Sequence, residues 1–169
     1  MDLLKNKYRF RPFLLVLGLI LTYNFLLLTC LYSSGIATNY ANVYITEPLI
    51  INNEYNLSSI VGKQLKVTNE SSQKIMVAIV PVLPQTDNLK KNYDFIPNTN
   101  WVTVVPEKYY LEPYQTGFSD IIIKIPKNKK LRKRSFQVNI EIYGYPTDKT
   151  GGITIVPTLL LKTMFSIKK

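Results

Sequence analysis

Apolar and polar positions alternate with a period of two along most of this chain beyond residue 40. The clearest case has Phe136, Val138, Ile140 and Ile142 interleaved with Gln137, Asn139, Glu141 and Tyr143. Successive side chains of a strand point to opposite faces, so this pattern predicts a half-buried antiparallel strand. In residues 117–125, Ile121, Ile123 and Ile125 share one face, and Asp120, Ile122 and Lys124 share the other. In residues 61–68, Val61, Leu65 and Val67 oppose Gln64, Lys66 and Thr68. Residues 75–83 are almost wholly apolar, which predicts a central strand covered on both faces as far as Pro81. Shorter strands are predicted at 43–45, 93–96, 101–105 and 108–111. A long final strand is predicted over 153–167, with Pro157 marking a bend or an edge.

Turn chemistry separates these runs. Residues 69–72 form a polar cluster, 84–100 a long polar connection, and 146–152 a loop ending in Gly151-Gly152. No helical repeat appears after residue 40. Seven to nine strands spaced about ten residues apart predict an all-β fold, an immunoglobulin-like antiparallel β-sandwich over residues 38–169.

The first 37 residues read differently. Lys5, Lys7, Arg9 and Arg11 precede a charge-free run whose apolar heart is residues 13–32. A helix of that length reaches about 30 Å, the thickness of a bilayer core. The basic flank keeps the N-terminus inside and predicts an exported sandwich. The segment is either a signal peptide cleaved after Ala37 or a retained membrane anchor, with lipidation of Cys30 as a third route.

Cys30 is the only cysteine, and the chain has no histidine. The exported part therefore lacks a disulfide, a cysteine nucleophile, and the commonest general base and metal ligand. Its carboxylates are scattered, and it has no phosphate-binding glycine loop or nucleophile elbow. These features predict a non-enzyme with no cofactor. Asn56 and Asn69 each begin a glycosylation triplet, but Asn69 already has a turn to make.

The net charge is +10. Residues 1–37 carry four basic residues and Asp2, so the remainder stands at +7. Seven cations fall in one stretch of eleven residues: Lys124, Lys127, Lys129, Lys130, Arg132, Lys133 and Arg134. On a hairpin loop they would form a dense patch for an anionic surface polymer, headgroup or acidic protein; the plainer reading is a solvated loop. Nucleic acid is not an expected partner, because the domain is exported and lacks a recognition motif. Tyr109, Tyr110 and Tyr114 could form an aromatic binding surface, or they could cap the core. Trp101 is expected in the core.

Several blocks together resemble a known group. They are the turn at Asn69, Trp101 with Pro106, Leu111 and Pro113, then Ile125-Pro126, the 136–142 alternation and the strand led by Gly152. In this order they are similar to exported bacterial immunoglobulin-like domains. That group includes the N-terminal domains of PapD-like pilus chaperones and the surface domains of WxL-interacting proteins. The resemblance runs from about residue 57 onward and implies fold more than function. This chain departs from the group in carrying Pro113-Tyr114 where its members have Pro-Gly, and it has no second sandwich.

The expected function is a non-enzymatic envelope protein whose sandwich binds a surface protein or an anionic polymer. The alternative is a strand-exchanging assembly component, either pilus-subunit-like or chaperone-like. A carbohydrate-binding role would need exposed aromatic residues in a row.

Overall fold

The computed structural model describes residues 35–147 and 155–169. The predicted apolar helix at 13–32 and the Gly151-Gly152 turn lie outside the described residues. Among the described residues, no helix is long and apolar enough to cross a membrane.

Among the described residues, eleven strands form two facing sheets. The first sheet holds β1 (Ile36–Thr38), β4 (Leu65–Asn69), β9 (Thr116–Lys124), β3 (Glu54–Asn56) and β7 (Val102–Val105). The second holds β2 (Asn42–Tyr44), β11 (Thr158–Ser166), β10 (Ser135–Pro146), β5 (Ile75–Val82), β8 (Lys108–Leu111) and β6 (Asp94–Phe95). β10 is the spine of the second sheet, with β5 antiparallel on one side and β11 antiparallel on the other.

Isoleucines at alternate positions build the core between the sheets. Ile121, Ile123 and Ile125 descend from the first sheet, while Phe136, Val138, Ile140 and Ile142 rise from the second. Each such side chain contributes roughly 1.5–3 kcal/mol on burial. Trp101 is buried where a 3-10 turn leads into β7, and its ring meets Phe136 edge-on at 5.5 Å. Phe136 in turn packs on Phe165 at 6.0 Å.

The sandwich is all-β, as the alternation predicts, but it differs from expectation in four respects. It has eleven strands rather than seven to nine, because β1, β2, β3 and β6 are edge pieces of two or three residues. It is also mixed rather than purely antiparallel: β2 runs parallel to β11, and β6 parallel to β10. The predicted strand at 61–68 begins only at Leu65, because Val61 closes the short helix α1 (Leu57–Val61). Asn56 caps that helix by accepting the Ser58 N–H, and Gly62 ends it with φ near 75°.

The fourth difference is an exchange of faces. Gln137 and Asn139 were expected in solvent, yet both are buried. The connection after β5 lies over them. Gln137 donates to the Asn88 carbonyl at 2.9 Å and accepts from the Lys90 N–H at 2.8 Å. β5 was expected to be covered on both faces, yet Val80 on its outer face is exposed.

Asn69 locks one end of the sandwich. Its amide donates to the carbonyls of Gln73 and Glu112, and its Oδ1 accepts from the Ser71 N–H and hydroxyl. It is fully buried, so its role is a turn clasp.

Candidate functional site

Two surfaces carry the residues singled out by the sequence, and the fold adds a third. The first is the basic segment between β9 and β10. These strands belong to different sheets, so the segment is a crossover between layers and not a hairpin loop. It is well ordered by its own contacts. Asn128 accepts from the Lys130 N–H at 2.9 Å, a 3-10 turn spans Lys129–Leu131, and Leu131 is buried as an anchor. Lys133 has φ near 63° and donates its N–H to the Ile167 carbonyl.

All seven cations are exposed, but two of them face acids. Lys124 stands opposite Glu54 in the register of β3 and β9. Arg134 holds Asp94 at 2.9 Å and lies over the Phe136 ring at 5.1 Å. Lys127, Lys129, Lys130, Arg132 and Lys133 make no ion pair among the described residues.

The tyrosines separate instead of forming one surface. Tyr109 turns toward the sandwich interior, where its hydroxyl is buried without a hydrogen-bond partner. Burial pushes its phenol above the ordinary value, with the neighbouring Ser119 hydroxyl acting the other way. Tyr110 points outward, in register with Met76 and, across β5, with Tyr145. Tyr145 stacks on Tyr143 at 5.8 Å. The hydrogen bond from Tyr143 to Glu141 raises the Tyr143 phenol. Tyr114 is exposed on the turn before β9 with φ near 61°. Tyr114 thus holds a left-handed conformation that glycine adopts without steric cost.

The third surface was not singled out, and it is the free edge of β11. Lys162 donates outward to the Ala41 carbonyl, and Met164 and Ser166 accept from Ile45 and Leu49. Even-numbered residues of β11 therefore turn their backbone groups away from β10. β2 covers this edge only from Lys162 onward, so the outward groups of Thr158 and Leu160 have no strand beside them among the described residues. Ile155 and Val156 just before them are exposed. A shallow depression of about 220 Å³ lies over β10 between β5 and β11, lined by Val82, Leu83, Asn88, Asn139, Glu141 and Leu160 among others. The apolar content of 153–167 was legible in the sequence. The open edge depends on how few residues of β2 pair, which alternation does not encode.

Ala37, the expected cleavage position, lies in the middle of β1 paired with Thr68, and Ile36 beside it is buried. Among the described residues, no group of three or more His, Cys, Asp or Glu is placed to hold a metal ion.

Neither a protein-family model nor a curated protein matches the sequence. Solved structures do match. The periplasmic chaperone SfaE superposes with a TM-score of 0.51 at 11% identity, covering 80% of this chain and 59% of that one. The fold is PapD-like. The E. coli chaperone DraB gives 0.52 at 12% identity over 79% of this chain and 55% of its own. A PapD-like domain of human CEP192 gives 0.50 at 10% identity over 81% of this chain and 89% of its own. The chain thus spans somewhat more than half the length of the chaperone chains it matches. Its PapD-like immunoglobulin sandwich occurs in both bacterial and human proteins, and none of these neighbours is described as an enzyme.

Proposed function

We propose that this protein is a non-enzymatic envelope component whose exported sandwich binds a partner protein by adding one of its strands to the free edge of β11. The open backbone groups of Thr158 and Leu160 carry this reading. An exposed sheet edge is a template for β-strand addition: backbone hydrogen bonds supply affinity, and neighbouring pockets select side chains. The exposed side chains of Ile155 and Val156, just before this edge, supply apolar surface for that selection. The basic leader and apolar run at the N-terminus support export. The likeness to a chain from the Salmonella enterica SafA pilin–SafB chaperone complex, with a TM-score of 0.51 at 14% identity, agrees with an assembly role.

Export leaves the N-terminal boundary to be fixed. A cut after Ala37 would remove two of the three residues of β1, including buried Ile36. We therefore place the start of the mature sandwich at or before Gly35, with the preceding segment retained as an anchor or removed upstream.

A photoreactive residue at position 155 of the full chain, expressed in its native envelope, tests the binding surface. The expected result is a discrete cross-linked protein from position 155 and none from position 118, an exposed site on the outer face of the other sheet. Equal labelling from both positions, or none from 155, would remove the proposal.

A further inference from the structure

One end of the sandwich is densely basic. β9 ends and β10 begins at the same pole, and the crossover between them carries the five cations that pair with no acid among the described residues. The backbone adds two more. Ile167 is clasped between Arg134 and Lys133, donating to the carbonyl of one and accepting from the N–H of the other. Lys168 and Lys169 follow directly and are exposed. The sequence separates them from Lys133 by more than thirty residues, and only the fold brings them together.

We infer that this pole, from Lys127 to Lys133 with Lys168 and Lys169, is a docking site for a linear phosphate polymer. Six of its seven cations are lysines, which act as hydrated point charges and read charge density more than the shape of an anion. The site is held in place by the Asn128 cap, the Leu131 anchor and the Ile167 clasp, so binding requires little ordering of the backbone. The choice of a polymer over a bilayer rests on the crossover itself, where the cations are densest and the one large apolar side chain is Leu131; Ile50 and Phe95, exposed at its margins, make the vesicle comparison below the deciding one. Leu131 is buried in the core. The crossover therefore offers charge without the apolar side chains that interfacial membrane binding uses. The pole lies at the far end of β11 from Thr158, so this site and the proposed strand-binding edge can be tested separately.

Titration of the full chain with long-chain inorganic polyphosphate over a range of salt concentrations tests the inference. Binding is expected to weaken steeply as salt rises, because each neutralised phosphate releases a counterion. Substituting Lys127, Lys129 and Lys130 together with Gln should lower affinity at least ten-fold and flatten the salt dependence, with thermal stability kept. Lys168→Gln with Lys169→Gln should lower affinity several-fold, an effect that follows from the fold alone. Replacing three lysines elsewhere, Lys63, Lys66 and Lys108, should change it less than two-fold. Equal loss from those distant substitutions would reduce the effect to net charge and overturn the site. Binding to phosphatidylglycerol vesicles as tight as to polyphosphate would overturn the polymer assignment, and so would no binding at low salt.

Discussion

The ring of Tyr109 lies directly over Gly117, where a Cβ would collide with the ring edge. Tyr109 belongs to β8 in one sheet and Gly117 to β9 in the other, so this contact is part of the seam between layers. Gly117→Ala should destabilise the sandwich by about 1–3 kcal/mol, the usual cost of overpacking. Tyr109→Leu should recover part of that loss, and a double-mutant cycle by chemical denaturation would measure the coupling.

The same tyrosine sets a pH dependence. Burial raises its phenol above the ordinary 10.0, so the folded chain keeps a proton that the unfolded chain releases first. Its stabilising contribution is complete below the unfolded value and is lost as pH rises toward the folded one. Tyr109→Phe should reduce alkaline sensitivity without lowering stability at pH 7, since its hydroxyl has no hydrogen-bond partner. Denaturation midpoints at pH 7 and pH 10.5 would check both statements.

Tyr114→Gly should raise stability by about 1 kcal/mol, because Tyr114 sits in the left-handed region at φ near 61°. The ring is exposed and its loss removes little packing. A shift in the thermal midpoint would report the gain.

Which parts of this fold were legible follows from side-chain chemistry. The isoleucine ladder of β9 and the aromatic and aliphatic ladder of β10 were readable, because their alternation matches the core face that they occupy. The polar ladder of β10 misled for a physical reason: Gln137 bonds the backbone of a distant connection, and Asn139 accepts from the Gln137 amide, so neither needs water. Helix α1 was signalled by Asn56 and Gly62 at cap spacing, a cue weaker than the neighbouring run of apolar residues. The basic crossover was legible as charge. Its partition into answered and unanswered cations needed the positions of Asp94 and Glu54.

The N-terminal boundary gives a stability prediction. A chain beginning at Thr38 loses Ile36, which is buried and packs beside Gly144. It should be less stable than one beginning at Gly35 by about 1.5–3 kcal/mol, the range for one buried aliphatic side chain. Urea denaturation of the two proteins would measure the difference. Equal stability would leave cleavage after Ala37 without a structural cost.

If a partner strand adds to the outer edge of β11, a proline at position 158 blocks it. Thr158 is exposed and its N–H points outward, so proline removes no bond to β10 and is tolerated there as on other edge strands. The measurement is the yield of the cross-linked partner from a photoreactive residue at position 155, compared between Thr158→Pro and Thr158→Ala chains of matched thermal stability. Strand addition predicts that Thr158→Ala keeps the yield and Thr158→Pro lowers it at least ten-fold. An undiminished yield from Thr158→Pro would contradict it.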